Sequence, residues 1–422
     1  MKHYQDIVGR INYGLFLAVV ALLPFPQTPL RLACVLWIIS WYLEFRWLTK
    51  PKSLRENPVA IPILLFGLWF AWKVVSVFWA PDYDAWAWQM ERYMTFALII
   101  PIGLWGVNEH YNWEQAGKVL VASCVIAIPA YLIWMAVLHP HPEWVPYLNV
   151  PEDWRHHEKW TTFLMDNISH FKHRLFLCSV ELFGIIMAFQ VLRKRWAILI
   201  PAVAIMFISI PMTGSRQSVL TCAALAVIGI LYLLPRKQRL RYGTAIVLLG
   251  MVLGGGVLKL HPRMQQFDIS DITEMRDMSY DHDIRFNIWG AALQRPQDYI
   301  AYGLGAGQSK AYLAERYDDV HFDWYASKQY HAHNQYLEET MEIGLAGMFL
   351  FVLAWISIPL STRGRARKTA MLFTTLFMLG MMTDCMFGKF DGIALWAVGL
   401  LFILLQTHAQ GDEQTAGDTE TH

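Results

Sequence analysis

Mostly apolar stretches of about 16–22 residues recur along the whole chain, close to the roughly 20 residues that a helix needs to cross a bilayer. This repetition constrains the fold more than any other feature. Backbone groups in lipid must be satisfied internally, so helices are the natural form for such stretches. Charged residues make up only 16% of the chain, too few to cover a soluble protein of this size. The pattern therefore predicts an all-α polytopic membrane protein.

We predict about twelve transmembrane helices, with a large, partly helical loop between spans 9 and 10. The chain then divides into spans 1–9 (1–259), the large loop (260–342), spans 10–12 (343–407) and a disordered tail (408–422). A smaller loop at 139–172 joins spans 5 and 6. The predicted spans are 11–26, 29–46, 60–79, 91–107, 117–138, 173–191, 196–212, 217–234, 243–259, 343–360, 368–386 and 391–407.

Clusters of lysine and arginine set the orientation, because these residues concentrate in short cytoplasmic loops. Each cluster follows an even-numbered span, which places both termini in the cytoplasm and both long loops outside. The clusters are Arg46, Lys50, Lys52 and Arg55; Arg193, Lys194 and Arg195; Arg236, Lys237, Arg239 and Arg241; and Arg363, Arg365, Arg367 and Lys368.

The large loop is acidic, with seven Lys or Arg against fourteen Asp or Glu over 260–342. Loops of this length are usually functional. The five cysteines, by contrast, fall inside apolar stretches without a CxxC pair, so we expect small buried hydrophobic residues rather than disulfides or a metal cluster. They are Cys34, Cys124, Cys178, Cys222 and Cys385.

A histidine-rich stretch stands where the large loop re-enters the membrane. A neutral His333 is able to accept a proton as a general base, but a surface or capping histidine is the alternative. Asn334 is predicted to cap the helix that follows. The glutamates of that helix suit its dipole, orient a histidine or face water, and the two glycines permit close packing against a neighbouring span. These residues are Glu338, Glu339, Glu342, Gly344 and Gly347.

His331 and His333 form a His-x-His pair that zinc also uses, although we expect no metal here. The pair would need further ligands, with candidates His321, His282, Glu338 and Asp323.

Arg216 follows Ser215 in a Gly/Ser turn that opens a helix at the outer side of the membrane. It is either a snorkelling anchor or, with the free N–H groups of the helix, a seat for a phosphate. Arg285 shares a face of a short amphipathic helix with Trp289, and a salt bridge to Asp281 or Asp283 is its simpler role.

The sequence does not determine the partners of several other charged residues. Lys172 and Arg174, before span 6, meet headgroups or a substrate phosphate, and 303–307 is a turn-rich linker rather than a nucleotide loop. Ionisable residues in spans tend to be paired. The candidates for such pairs are Lys73, Arg92, Asp384 and Asp391.

His333 and Asn334, followed by nine residues, Gly344, two residues and Gly347, form a pattern that resembles the O-antigen ligase and polymerase superfamily of bacterial envelope glycosyltransferases. Arg216 and Arg285 resemble the two arginines that members place against the donor pyrophosphate. The span count and the late, large loop extend the resemblance to nearly the whole chain.

The resemblance implies a ligase in the bacterial inner membrane that moves a glycan from undecaprenyl pyrophosphate to lipid A–core at the periplasmic face. It implies an inverting reaction with His333 as the base, Arg216 and Arg285 on the pyrophosphate, and no cofactor, metal, nucleotide or nucleic acid. Possible supporting residues are Asn334, His331, Lys172, Arg174 and Ser215.

Three alternatives remain. A polymerase would use a growing glycan as acceptor, and a protein O-oligosaccharyltransferase would use Ser or Thr. The aromatic, histidine-rich segment 139–172 and the basic run 170–174 leave the acceptor open. A transporter of lipid-linked glycans would instead pair ionisable residues deep in its spans.

Overall fold

The computed structural model describes residues 2–48, 57, 59–133, 171–213, 215–233, 244, 284–319, 327 and 330–419. Every regular element in these ranges is a helix, which confirms the all-α prediction. The α-helices are α1 (Lys2–Leu22), α2 (Gln27–Leu43), α3 (Ala60–Val75), α4 (Tyr83–Trp105), α5 (Trp113–Ile133), α6 (Arg174–Val191), α7 (Trp196–Met212), α8 (Arg216–Leu233), α9 (Ile284–Gln294), α10 (Ser309–Asp319), α11 (Gln335–Leu360), α12 (Gly364–Gly380) and α13 (Phe390–Thr419).

Six of the described helices are long and apolar enough to cross a membrane. Two shorter apolar helices lie within α7 and α8. Predicted span 9 (243–259) lies outside the described residues except for Thr244, so the count of twelve stays a prediction. The six membrane-crossing segments are His3–Leu22, Ala60–Phe78, Trp113–Ile133, Arg174–Val191, Gln335–Leu360 and Phe390–Gln410.

The chain divides into two compact units. Unit 1 comprises Met1–Glu44 and Asn108–Phe267, and unit 2 comprises Phe45–Val107 and Asp268–His422. Each is described separately below.

Unit 1 contains a buried polar network inside its helical core. Asn12 of α1 donates to the Trp37 carbonyl (2.9 Å) and to Ser40 Oγ (2.7 Å), and it accepts from the Tyr111 hydroxyl (2.6 Å). Satisfied buried polar groups of this kind fix one packing arrangement between helices. All five cysteines of the chain are free and four are buried, as predicted.

Unit 2 has an aromatic core. Phe66 of α3 makes edge-to-face contacts with Trp69, Phe96, Trp355 and Trp396, with ring centroids 5.2–6.5 Å apart. Aromatic pairs in this geometry contribute roughly 0.5–1.5 kcal/mol each beyond their buried area. The core therefore fixes α3 against α4, α11 and α13.

Besides α1, which begins at Lys2 rather than 11, two helices begin well before the position that the apolar pattern predicts. Helix α4 begins at Tyr83 rather than 91, because Asp82 accepts hydrogen bonds from the Asp84 and Ala85 amides and caps its polar first turns. Helix α11 begins at Gln335 rather than 343, with Asn334 as its cap. Hydropathy did not reveal either start, because both first turns carry charged side chains.

The tail prediction is also corrected. Helix α13 continues to Thr419, so the disorder predicted from 408 onward is wrong for 408–419. Extending an existing helix by one residue adds a hydrogen bond without the cost of nucleation, which explains how a polar segment remains helical.

Helix α11 is kinked where the loop 299–307 crosses it. Gly344 has φ +74°, and a Cβ atom there would lie 2.6 Å from the Ala301 carbonyl oxygen. The Leu345 amide donates to the Ile300 carbonyl (2.9 Å), and the Leu304 amide donates to the Met341 carbonyl (2.8 Å). The glycine therefore admits a crossing loop rather than the neighbouring span that we expected.

The 303–307 turn is confirmed as a structural element of this crossing. The Gly305 amide donates to the Glu342 carbonyl (2.9 Å), the Ala306 amide to Ser76 Oγ (2.9 Å), and the Gly307 amide to Glu342 Oε1 (2.9 Å). These amides are committed to protein acceptors, so they do not form a phosphate cradle.

Candidate functional site

The histidine loop, defined as residues 330–334, sits at the start of α11 in unit 2. Asn334 accepts hydrogen bonds from the Tyr336 (3.0 Å) and Leu337 (3.1 Å) amides, which confirms the predicted cap. His333 has φ +46°, in the left-handed region that only a few per cent of non-glycine residues adopt, although histidine, asparagine and aspartate do so more often than others. The loop holds His333 in a conformation that the residue alone would not prefer.

Asp384 brings the two histidines of this loop together. Its Oδ1 lies 3.7 Å from His333 Nδ1 and 3.8 Å from His331 Nε2, and the two imidazole centroids are 4.0 Å apart. These contacts are longer than hydrogen bonds, as is frequent in catalytic sites without substrate. Lys389 Nζ lies 3.2 Å from the other oxygen of Asp384 and fixes the carboxylate.

The proton of His331 is located by its partners. His331 Nδ1 accepts from the His333 amide (3.1 Å), so a neutral ring carries its proton on Nε2, the nitrogen that faces Asp384. Burial, helped by the adjacent His333, lowers the pKa of His331 to about 3. His331 is therefore neutral at physiological pH, and it supports the backbone of its neighbour.

This shift makes stability depend on pH. Because the pKa of His331 falls from 6.5 in the unfolded chain to about 3, the unfolded state binds the extra proton in between. Stability is complete above pH 6.5 and falls as the pH is lowered toward 3, by roughly 2 kcal/mol at pH 5. We expect the thermal midpoint of the wild type to drop more between pH 7 and pH 5 than that of His331→Gln. Parallel curves would contradict the assignment.

The histidine loop also has the composition of a metal site. Donor atoms of His331, His333 and Asp384 lie within 4.8 Å of one another. Of the further ligands considered from the sequence, Glu338 lies within 4.8 Å of His331 and Cys385 in a second such group, whereas His321, His282 and Asp323 lie outside the described residues. Lys389 already supplies a positive charge to the Asp384 carboxylate. His331, His333 and Asp384 thus suit either a proton-transfer group or a metal.

Helix α9 is hydrogen-bonded both to the histidine loop and to the residue before Asp384. Trp289 Nε1 donates to the Ala332 carbonyl (2.9 Å), and Arg285 Nε donates to the Thr383 carbonyl (3.2 Å), one residue before Asp384. The salt-bridge partners expected for Arg285, Asp281 and Asp283, lie outside the described residues. The structure therefore brings Arg285 and His333 to the same part of unit 2.

The glutamates of α11 do not face water, which corrects one of the roles considered for them. Glu338 accepts from Ser309 Oγ (2.6 Å) and from the Ala332 amide (2.8 Å), so it connects the start of α10 to the backbone of the histidine loop. Glu339 and Glu342 are buried and pair with Lys73 of α3, at 3.1 Å from Glu339 Oε2 and in closer contact with Glu342.

An apolar cavity of about 350 Å³ lies beside the loop. Three polar side chains of its walls already have hydrogen-bond partners: Trp289 donates to the Ala332 carbonyl, Tyr299 to the Ala292 carbonyl, and Tyr336 to the Met378 carbonyl. Such a cavity suits a non-polar chain better than a sugar, whose hydroxyls need partners. Its lining residues are Trp289, Leu293, Pro296, Tyr299, Ile300, Asn334, Tyr336, Leu337 and Thr340.

The remaining predicted site residues belong to unit 1. Arg216 is the first residue of α8, as expected, and Ser215 accepts from the Ser218 amide (3.3 Å) in a capping role. Arg174 begins α6 and its Nη1 is buried without a hydrogen-bond partner among the described residues, whereas Lys172 is buried with contacts of its own. The joint action of Arg216 with Arg285 and His333 stays a prediction.

Sequence analysis did not connect Asp384, Lys389 and Gln335 to the histidines. Asp384 was noted only as a charge at a span end, 51 residues beyond His333. A carboxylate that close to an apolar span was the available signal, because such groups tend to have partners.

Comparison with protein families gives one assignment. Residues 201–352 match the sequence model of the O-antigen ligase family. The resemblance that the sequence suggested is thereby confirmed. A comparison with curated proteins gives no match.

The O-antigen ligase match includes the predicted donor arginines and the histidine loop, together with the glycine pair of α11. Asp384 and Lys389 lie beyond its end, so their place beside the histidines comes from the structure alone. The match and the apolar helices together support a multi-pass membrane protein related to the O-antigen ligases.

Proposed function

We propose that this protein is an O-antigen ligase-type glycosyltransferase. The donor is a glycan on undecaprenyl pyrophosphate, the acceptor is lipid A–core, and the active site is periplasmic in the bacterial inner membrane with both termini cytoplasmic. The observation that carries the proposal is the position of His333 beside Asp384, with Arg285 of α9 donating to the carbonyl of Thr383, the residue before Asp384.

In the proposed reaction, His333 takes the proton from an acceptor hydroxyl. The hydroxyl oxygen forms a bond to the anomeric carbon of the donor sugar, and the bond from that carbon to the pyrophosphate oxygen breaks. Undecaprenyl pyrophosphate leaves with the electron pair, and the anomeric centre inverts. Nδ1 of His333 faces Asp384, so Nε2 is the nitrogen that receives the proton.

Asp384 serves as the positioning carboxylate of this base. It lies where it stabilises the imidazolium formed when His333 takes the proton, in the way a buried carboxylate supports a catalytic histidine elsewhere. Lys389 orients Asp384 through its 3.2 Å contact.

Arg285 and Arg216 are proposed to stabilise the negative charge that develops on the leaving pyrophosphate. Donors arranged before the reaction commonly supply the largest electrostatic contribution to such transfers. Lys172 and Arg174 are proposed to add positive charge for substrate phosphate or headgroups, with Ser215 supporting the Arg216 turn. The apolar cavity beside Asn334 fits the lipid part of such a donor.

A transporter is the competing hypothesis from another class, and one observation favours it. The buried pairs of Lys73 with Glu339 and Glu342 are of the kind that a transporter would place in its spans. However, Glu342 also holds the Gly307 amide, and Glu339 holds Trp69 Nε1 (2.8 Å). The two glutamates therefore connect α11 to α3 and to the 303–307 turn, which supports a structural role for them in an enzyme.

A reconstituted reaction tests the function directly. Purified protein is incubated with undecaprenyl-pyrophosphate glycan and either lipid A–core or free glycan, with and without a chelator. A joined lipid A–core product that survives the chelator supports a metal-independent ligase. A lengthened glycan indicates the polymerase, transfer to Ser or Thr of a peptide indicates the oligosaccharyltransferase, and no product with any acceptor refutes the proposal.

The arginine of α9 gives a second expected result. Arg285→Ala should lower transfer by about 10²–10³-fold, the usual loss when one donor to a developing anion is removed. Arg285→Lys should recover only part of it, because a lysine does not reproduce the guanidinium fork. The exposed Arg295, just beyond α9, supplies the matched control Arg295→Ala, which should retain transfer. Loss of folded protein in Arg285→Ala would assign the residue to structure.

A further inference from the structure

We propose that Gln335 is a positioning residue that acts on His333 through Asp384. The inference rests on the proposed function, since it concerns the same base. Gln335 is two residues beyond His333, is 1% exposed and is the first residue of α11. No family pattern used above involves this side chain.

Gln335 forms hydrogen bonds with both ends of the segment 381–387. Its backbone amide donates to the Met381 carbonyl (2.8 Å), and its side-chain oxygen accepts from the Phe387 amide (2.9 Å). Asp384 lies midway between these two attachments. A residue bonded to both ends of a short turn limits the positions that the middle of the turn adopts, and here the middle carries the carboxylate facing His333.

The orientation of the Gln335 amide is itself fixed. Its Nε2 donates to Glu339 Oε1 (2.7 Å), and the other oxygen of Glu339 accepts from Trp69 Nε1 and pairs with Lys73. An amide whose nitrogen is held by a carboxylate must present its oxygen to Phe387. The buried charge cluster of α3 and α11 is thus connected by hydrogen bonds to the turn that carries Asp384.

The hydrogen-bond partners of Gln335 distinguish a positioning role for this residue from a catalytic one. Gln335 is bonded to backbone and to Glu339, so its loss should leave substrate affinity unchanged. A carboxylate displaced by about 1 Å lowers catalysis by as much as 100-fold. We expect Gln335→Leu to lower kcat roughly tenfold to 100-fold with KM for both substrates unchanged.

A double-mutant cycle tests the route of action. If Gln335 acts through Asp384, then Gln335→Leu has no further effect in an Asp384→Asn background, because the carboxylate it positions is gone. Additive losses in the double variant, or an increased KM in Gln335→Leu, would overturn the proposal. Should Gln335→Leu not fold, the unbranched Gln335→Met, which fills a similar volume and also lacks the oxygen that accepts from the Phe387 amide, replaces it in the same cycle.

A matched control and an activity-independent readout complete the experiment. Gln406 of α13 is equally buried and accepts from Thr369 Oγ1 (2.6 Å), so Gln406→Leu breaks a similar bond away from the loop and should retain kcat. The rate at which diethyl pyrocarbonate modifies His333, followed by mass spectrometry across pH, should change alike in Gln335→Leu and Asp384→Asn. A rate unchanged in Gln335→Leu but changed in Asp384→Asn refutes the positioning role, whereas failure of wild-type transfer refutes only the proposed function.

Discussion

Replacing His333 by alanine should lower the rate of glycan transfer by about 10²–10⁴-fold, the usual contribution of a positioned general base. The reason is that His331, the histidine left beside Asp384, already uses Nδ1 to accept from the backbone amide of residue 333 and carries its proton on Nε2, so it does not replace His333 as the proton acceptor. Because His333 has φ +46°, alanine also strains the backbone. His333→Asn avoids this, since asparagine tolerates the left-handed conformation, and it should lose activity to a similar extent with an unchanged thermal midpoint.

His110 supplies the matched control for this experiment. It forms a second histidine–aspartate pair, with its Nε2 2.9 Å from Asp6 Oδ1, in unit 1. His110→Ala removes the same chemical group and should leave transfer unchanged. Full transfer by His333→Asn would refute the general-base mechanism, and equal losses in both variants would show that any histidine–aspartate pair matters only for folding.

Replacing Lys73 by methionine should destabilise unit 2 by about 3–5 kcal/mol, the usual cost of leaving a buried charge without its partner. Lys73 is fully buried between Glu339 and Glu342, and its ammonium lies 5.4 Å from the Trp69 ring centroid and 5.2 Å from that of Tyr93. The loss should appear as a lower thermal midpoint in detergent.

Removing one of the two carboxylates that lose Lys73 as a partner should restore part of the lost stability. We expect Lys73→Met/Glu342→Gln to unfold at a higher temperature than Lys73→Met alone, because one unpaired carboxylate is gone. The exposed Lys368 of α12 gives the control Lys368→Met, which should match the wild type. A Lys73→Met protein as stable as the wild type, but unable to move lipid-linked glycan between leaflets, would favour the transporter hypothesis.

The helical stretches and the cap of α11 could be predicted because both depend on local sequence. Apolar length determines where a helix is able to cross lipid, and Asn334 precedes the amides that it caps. The early starts of α1 and α4 were missed, because polar first turns fail a hydropathy criterion, whereas the equally polar start of α11 was indicated by Asn334. In α11 that polarity is satisfied by Lys73, a residue more than 260 positions away in the chain.

The candidate site also contains residues that local sequence could group together and residues that only the fold brings together. His333, Asn334 and the two glycines are close in sequence, so their spacing was sufficient to suggest a family and a catalytic base. Asp384 and Lys389 come after the whole of α12, and no local rule assigns a carboxylate at that distance to a particular histidine.

The sequence by itself determined the class of protein, the resemblance to a family and the candidate for the base, because helix length, residue spacing and histidine chemistry are local properties. Only the tertiary structure decided the partners of those residues. It paired Lys73 with the α11 glutamates and set Asp384 against His333, and it turned Gln335 into the link between them. Buried charges and amides must find partners wherever the fold brings them, and the chain order does not specify where that is.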